Sequence, residues 1–373
     1  MKKVLVFAYL AKNLGDDLFI KILVERYPRV EFRILTTITN YSIINKYKNT
    51  TEVILPRTNR IQWAISNYLR SSLAFNIHFK KLRRLIKKEA ILCDAFLVIG
   101  GSLFMEVGNT YYKKKFYSII YSEFSLKPKL ILGSNFGPYR SDIFKTFFKN
   151  IFKKSTDVCF REKYSYDLFK DIATVRYSPD IVFQLDEGVQ NKIKQSVGFS
   201  LIDLDSRNNF KAFSDMYQDL HVSLIERYLN DGYEVRLFAF CIDEGDEKSI
   251  NKILFKLNPL IKNKVKIILY KGEIDAFLEE FKKVEYIYCS RFHAMILGLI
   301  YGQNIYPLIY SKKMTNVLSD IGYQGSFSII EDIQSLNVND IRKAILMNNC
   351  DITSFKKESE SQFYFLDRVL LNK

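Results

Sequence analysis

The sequence is short of the residues that build metal centres and covalent staples. Its five cysteines, Cys93, Cys159, Cys241, Cys289 and Cys350, form no close pairs, and with only three histidines there is no Cys/His spacing of a zinc site. Free thiols of a cytosolic chain fit this usage. Long apolar runs are missing too: the longest uncharged stretch, 292–311, contains Gln303, Asn304 and Pro307 and breaks into a helix followed by a strand, so no membrane span is expected. The N-terminal apolar stretch is brief and lacks a small-residue cleavage site, so it reads as a first strand rather than a leader. After that strand the glycine fingerprint of a dinucleotide-binding turn is absent, and Asp16 and Asp17 stand where they would repel a pyrophosphate. There is no internal repeat, and no recognised module organises the basic residues for nucleic acid.

What is present points to a globular chain with room for two cores. At 373 residues it exceeds what one core usually serves, and 48% hydrophobic residues with 30 Phe and 24 Tyr are far from a disordered composition. Lys and Arg number 56 against 41 Asp and Glu, a formal charge of +15. Such an excess suits an anionic partner (phosphate, membrane or nucleic acid) or simply a basic solvated surface.

Short apolar runs alternate with amphipathic segments, as in repeated β-α units of parallel sheets. Strands are expected at 3–9, 31–35, 52–55, 95–99, 129–133 and 157–161. After the turn-forming Ser178-Pro179-Asp180 and a polar stretch at 186–195, strands resume at 196–202, 234–240, 265–269, 286–289 and 304–309. The simplest architecture is two Rossmann-like domains facing across a cleft, 1–187 and 188–353, with a helix over 354–373 that packs back on the first. Segment 57–94 departs from the alternation. Ile61, Ala64, Ile65, Tyr68, Leu69 and Leu73 keep helical spacing, and Lys80, Lys81, Arg83, Arg84, Lys87 and Lys88 then crowd around Leu82, Leu85 and Ile86. A basic amphipathic helix of this kind either rests on anionic lipid or covers the sheet with a solvated basic face.

In open α/β sheets ligands bind beyond the carboxyl ends of strands, so the loops there are the candidates. The most informative is Ser290-Arg291-Phe292-His293, where an apolar strand meets a helix. Ser290 suits the N-cap, the first turn attracts anions, Arg291 offers a fork for phosphate or carboxylate, and His293 can bind that anion or transfer a proton. The plainer reading of His293 is a hydrogen-bonded core residue, which is also the reading for His78 and His221. Arg161 stands at a second strand end, as a further cation or in a surface ion pair with Glu162 or Asp167. One of Asp16 and Asp17 is expected to cap the first helix, leaving the other for sugar hydroxyls. Gly101 with Ser102, and Asn135 between Gly133 and Gly137, mark two further strand ends.

Taken in order, Asn13-Leu-Gly15-Asp16-Asp17, Ile99-Gly-Gly101-Ser102, Gly133-Ser-Asn135-Phe-Gly-Pro138, Arg161-Glu-Lys-Tyr-Ser165, Ser178-Pro-Asp-Ile-Val182, Ser290-Arg-Phe-His-Ala294 and Tyr310-Ser-Lys312-Lys313 resemble the motif series of the polysaccharide pyruvyl transferase family. The likeness runs from about residue 4 to residue 322. It departs at Ser102, where the family often has a third glycine, and at Ser134-Asn135, where it often has Gln-Ser.

The resemblance implies a glycosyltransferase-B-like fold, phosphoenolpyruvate as donor, no cofactor, and a pyruvate ketal on a sugar of a bacterial surface polysaccharide or its lipid-linked precursor. Carried over by position, Arg161, Arg291 and His293 are the catalytic and donor-binding residues, with Ser290 and Lys312 beside the donor. Asn13, Gly15, Asp16, Asp17, Gly101, Ser102 and Asn135 are expected to face the acceptor. A cytoplasmic enzyme, in peripheral contact with an anionic membrane, fits that role. The competing readings are a nucleotide-sugar glycosyltransferase of the same architecture and a non-catalytic polysaccharide-assembly protein.

Overall fold

The computed structural model describes residues 1–56, 73–186, 188, 191–207 and 209–371, the side chains of 73–75 excepted. The chain divides into two compact units. The first comprises Met1–Leu10, Phe19–Ile181 and Glu358–Lys373, and the second Ala11–Leu18 and Val182–Lys357. The segment Ala11–Leu18, counted with the first domain from sequence, therefore groups with the second.

The first unit holds a seven-stranded parallel sheet in the order β3-β2-β1-β4-β5-β6-β7. Its strands are β1 (Lys3–Phe7), β2 (Glu31–Thr36), β3 (Thr50–Ile54), β4 (Ala95–Ile99), β5 (Lys129–Ser134), β6 (Asp157–Phe160) and β7 (Val175–Tyr177). The central strand β4, Ala-Phe-Leu-Val-Ile, is buried along its whole length, as a strand covered on both faces requires. Much of the phenylalanine is used in one place. In the helix Asp142–Lys153, Ser141 accepts from the Phe144 amide as N-cap, and Phe144, Phe148, Ile151 and Phe152 recur at helical spacing on the buried face. They meet Phe136, Phe160 and Phe169, with the Phe152 and Phe169 ring centroids 5.0 Å apart.

The second unit repeats the pattern in six parallel strands, ordered β10-β9-β8-β11-β12-β13. These are β8 (Ser196–Ser200), β9 (Glu234–Ala239), β10 (Val265–Leu269), β11 (Tyr286–Cys289), β12 (Asn304–Ile309) and β13 (Ser328–Ile329). In each sheet the order reverses after a central strand, between β1 and β4 and between β8 and β11. That reversal opens a crevice at the carboxyl ends, where ligands of doubly wound sheets bind.

Every strand expected from sequence is present, its ends shifted by at most a residue or two. Two were missed, β7 and β13, because both are short edge strands with too few residues to show a period. The basic segment is a helix over Leu73–Leu92, and the helical pattern expected over 57–72 lies outside the described residues. Leu82 and Ile86 are buried, Glu89 is buried against Arg33 (2.5 Å), and Lys80, Lys81, Arg83, Arg84, Lys87 and Lys88 are exposed. The tail is not one helix. It runs as a helix Thr353–Ser359, a 3-10 turn Glu360–Phe363 and a helix Tyr364–Leu371. The break lets Gln362 enter the first unit, where it accepts from the Gly133 amide (2.9 Å) and donates to the carbonyls of Ser178 and Pro179 (2.7 and 3.0 Å).

Candidate functional site

In the second unit β11 ends at the strand-order reversal, and the helix Phe292–Ile300 begins three residues later. Ser290 does not cap that helix. Its hydroxyl is buried and shares a hydrogen bond with the Tyr217 hydroxyl (2.7 Å), while Arg291 occupies the N-cap position with no side-chain cap bond. The amide of Arg291 is instead taken by the Ser200 hydroxyl (3.1 Å), which ties the loop to the end of β8.

The Arg291 guanidinium is almost wholly enclosed and lies between two carboxylates. Its Nε and Nη2 donate to Asp246 and its Nη1 to Glu244. Asp246 has no exposed surface and also accepts from the amides of Phe240 and Cys241 (3.0 and 2.9 Å), so it is fixed by the backbone of its own loop. Such a partner orients Arg291 as well as neutralising it. Glu244 is different. Its side chain is 33% exposed, and it also accepts from Arg207 (3.2 Å) and the Asn13 amide group (3.4 Å). Although burial pushes the Glu244 carboxyl up, Arg291, Arg207 and Lys313 hold it below its usual range.

His293 lies on the first turn of the helix Phe292–Ile300, with its ring edge-on to Phe292 (5.0 Å). The imidazole rests directly on Gly15: a Cβ there would stand 1.7 Å from His293 Nδ1. This close approach gives that position its need for glycine. Asn13, not either aspartate, caps the helix Leu14–Arg26, its Oδ1 accepting from the Gly15 amide (3.0 Å). The cap is placed by the second unit itself, through a Leu14 amide bond to the Phe240 carbonyl (3.0 Å) and a bridge between Asn13 and Cys241. Asp17 is fully buried and accepts from the Tyr270 hydroxyl (2.5 Å), whereas Asp16 is half-buried in the same turn.

At the end of β12, Lys312 is exposed and Lys313 is the lysine that turns inward, its Nζ 5.5 Å from the Phe292 ring centre and 6.0 Å from that of Tyr310. Arg207 covers Tyr310 at 4.7 Å. Burial alone would push the Tyr310 phenol up, but Lys313, Arg291 and Arg207 bring it below the ordinary tyrosine value.

The first unit holds its own constellation. Arg161, 3% exposed, follows β6 and donates to Asp180 (2.8 Å) and to Asn135 Oδ1 (2.9 Å). Asn135 also receives the Ser102 hydroxyl (3.4 Å), and its amide donates to the Gly101 carbonyl (2.9 Å). The guanidinium lies flat against Gly101, where a Cβ would come within 2.5 Å of Nη2. Asp180, read from sequence as a turn residue, is the buried counter-ion of Arg161. Glu162, expected as a surface partner, is itself buried and accepts from the Ser165 hydroxyl (2.7 Å), and Asp167 pairs with Lys170 (3.1 Å).

The second unit thus brings together Asn13, Gly15, Asp17, Ser290, Arg291 and His293, and the first brings together Gly101, Ser102, Asn135 and Arg161. Glu244, Asp246, Arg207, Tyr310 and Lys313 were missed. The one available signal was an acidic pair in the loop after β9, with a Tyr-Ser-Lys-Lys run after β12. Among the described residues no group of His, Cys, Asp or Glu is arranged to hold a metal ion, and no helix is long and apolar enough to cross a membrane.

Comparison with known structures shows the fold. The UDP-GlcNAc 2-epimerase of Methanocaldococcus jannaschii superposes with a TM-score of 0.61 at 11% identity over 100% of both chains. The S. aureus MnaA–UDP co-structure gives 0.60 at 11% identity, covering 100% of this chain and 98% of that one. A glycosyltransferase from Rickettsia africae gives 0.55 at 9% identity, covering 100% and 99%. The two parallel α/β units are therefore of the glycosyltransferase-B class. The sequence model of the polysaccharide pyruvyl transferases matches residues 13–312, from the Asn13 cap through His293 to Lys312. With most of its length and the loop carrying Arg291 and His293 inside that match, the chain belongs to the polysaccharide pyruvyl transferase family.

Proposed function

We propose that the chain transfers the enolpyruvyl carbons of phosphoenolpyruvate to a sugar of a bacterial surface polysaccharide or its lipid-linked precursor, leaving a pyruvate ketal and inorganic phosphate. The observation that carries this reading is His293 on a helix N-terminus beside the Asp246-oriented Arg291, at the strand-order reversal of the second sheet. A helix N-terminus and an arginine fork suit an anionic donor, and an imidazole there is placed to move a proton.

In the proposed reaction C3 of the donor takes a proton and becomes a methyl group while a sugar hydroxyl adds to C2 and gives up its proton. The C2–O bond to phosphate then breaks, and a neighbouring hydroxyl adds to C2 to close the ketal. Of the two hydroxyl protons, one balances the proton placed on C3 and the other leaves with phosphate. His293 is the proposed acid for C3, and Arg291 with the first helical turn stabilises the charge of the donor. Asn13, Asp16 and Asp17, and in the first unit Gly101, Ser102 and Asn135, are proposed to recognise hydroxyls of the acceptor. Arg161 holds the latter loops in place. The exposed basic face of the helix Leu73–Leu92 supports approach to an anionic membrane on which a lipid-linked acceptor would be carried, at the cytoplasmic side.

The test is calorimetric titration of the protein with phosphoenolpyruvate and, separately, with UDP, followed by phosphate release in the presence of candidate acceptor sugars and detection of the ketal methyl by NMR. Binding of phosphoenolpyruvate and acceptor-dependent phosphate release are expected. Binding of UDP with none of phosphoenolpyruvate would overturn the reading in favour of a nucleotide-sugar enzyme.

A further inference from the structure

The surface helices of the protein differ in how they carry charge. The helix Ser214–Asn230 sets Asp215, Asp219 and Glu226 beside Arg227, and the helix Asp246–Lys256 sets Asp246 and Glu247 beside Lys248, Lys252 and Lys256, so each mixes both signs. The helix Leu73–Leu92 does not. Its one acid, Glu89, is buried against Arg33, while Lys80, Lys81, Arg83, Arg84, Lys87 and Lys88 are exposed. Among the described residues only Arg83 of these six has a carboxylate partner, Glu123 at 3.1 Å. Like charges three and four residues apart on a helix repel, so the concentration costs stability and calls for an anionic partner.

Large apolar side chains stand inside the same face. Ile77 is 47% exposed and Ile91 74%, with Leu92 beside it at 43%. On a helical projection Ile77, Arg84 and Ile91 fall close to one line, with Lys80 and Lys87 on one side of it and Lys81 and Lys88 on the other. The two isoleucines stand about 20 Å apart along the axis. Leu82, Ile86 and Ala90, on the opposite side, belong to the core of the first unit, so the helix is held on its sheet and offers only the outward face. Single exposed isoleucines are ordinary. Two on the midline of a cationic strip complement a surface that is anionic at its top and apolar just beneath, which is the layering of a bilayer with acidic lipid.

We propose that the outward face of the helix Leu73–Leu92 is the docking surface for such a bilayer. The helix lies parallel to the membrane, Lys80, Lys81, Arg84, Lys87 and Lys88 meet the lipid phosphates, and Ile77, Ile91 and Leu92 enter between the headgroups. Contact through one face makes the attachment reversible and salt-sensitive. This deepens the pyruvyl-transfer reading by giving the membrane of a lipid-linked acceptor a defined seat on the first unit, and it stands or falls without that reaction.

The experiment is co-sedimentation of the full-length protein with vesicles of phosphatidylcholine alone or with about 30% phosphatidylglycerol, in about 0.1 M salt. Binding to the acidic vesicles only, lost on raising the salt, is expected. Lys80→Gln with Lys81→Gln, and separately Lys87→Gln with Lys88→Gln, should each weaken it about tenfold or more. Ile77→Ser with Ile91→Ser should weaken it about fivefold or more at an unchanged salt dependence. Lys262→Gln with Lys264→Gln, exposed lysines of the second unit, should change it less than about twofold, and thermal unfolding shows that each variant is folded. Equal binding to both kinds of vesicle, or an equal loss in the Lys262 and Lys264 variant, overturns the docking face. Full binding by the Ile77 and Ile91 variant overturns the insertion. Displacement by inorganic phosphate at matched ionic strength would make the face a site for free anions, and binding of poly(U) in place of vesicles would give it to nucleic acid; either result sinks the proposal. Vesicle binding without phosphoenolpyruvate binding keeps the docking and removes the pyruvyl-transfer reading, whereas turnover without vesicle binding does the reverse.

Discussion

Arg161 and Arg291 occupy equivalent kinds of position, each just past the end of a buried parallel strand and each enclosed by its unit. Their partners differ. Arg161 is matched by one carboxylate, Asp180, and one amide, Asn135, which are as buried as it is. Arg291 is matched by Asp246, equally buried, and by Glu244, which is a third exposed and is shared with Arg207. Among the described residues the first cluster pairs a buried arginine with partners as buried as itself, an arrangement suited to holding Gly101 and Asn135 in place. The second is graded from interior to solvent, from the enclosed Asp246 to the partly exposed Glu244. Burial of the counter-ion, not burial of the arginine, is what distinguishes the two clusters.

The largest expected effect tests the first cluster. Arg161→Ala leaves the buried Asp180 carboxylate without its counter-ion and should cost about 3–5 kcal/mol of stability. Equilibrium urea denaturation measures it, and Arg161→Met combined with Asp180→Leu should recover most of the loss. A cost below about 1 kcal/mol would mean that Asp180 is solvated.

On the graded side, His293→Gln should lower transfer by about 10²–10³-fold with its thermal midpoint near that of wild type, because the ring packs on Gly15 and Phe292 at the margin of the core. A variant that keeps full turnover and an unchanged pH profile would remove His293 from proton transfer. The comparison sharpens if Arg161→Lys and His293→Gln fall on opposite axes, one losing stability and the other rate.

A second histidine, His221, extends the contrast to titration. His221 is fully buried, with Nδ1 donating to the Tyr217 carbonyl (2.7 Å), and burial lowers its pKa to about 4. The unfolded chain then binds this proton near pH 6.5 and the folded one only near pH 4, so stability falls as pH drops through that window. The loss by pH 4.5 should be about 2–3 kcal/mol. Urea midpoints at pH 7 and pH 4.5 measure it, and His221→Gln should flatten the difference; an equal slope in the variant would place the titration elsewhere.

The strands were legible because each is a short apolar run set off by turn residues, and the loops could be placed once the strands were. The Ser-Arg-x-His run was legible as an anion site because those side chains are neighbours in sequence. Their partners were not. Asp180 lies 19 residues from Arg161, Asp246 lies 45 from Arg291, and Glu244 lies 231 from Asn13, and nothing local marks such pairs. Ser290 carried the composition of a cap, yet a buried Tyr217 hydroxyl took it. Lys312 and Lys313 are indistinguishable as letters, and only the start of a helix decides which turns inward.

A third arginine gives the smallest effect and the sharpest control. Arg236 is as buried as Arg161, but both its carboxylates, Glu234 and Glu280, lie toward solvent. Burial pushes the Glu280 carboxyl up, while Lys266, Lys283 and Arg236 together bring it to about 2. With its folded pKa below the unfolded value near 4.5, Glu280 contributes stability that is complete above that value and is lost as pH falls towards 2. Glu280→Gln should cost about 1 kcal/mol or less at pH 7, since Glu234 remains to pair Arg236 and three cations lose only a screened partner. Urea denaturation at pH 7 and pH 3 should show that cost shrinking at the lower pH. A loss as large as that of Arg161→Ala would show that an arginine's own burial sets its energetics, and the distinction drawn between the two clusters would fall with it.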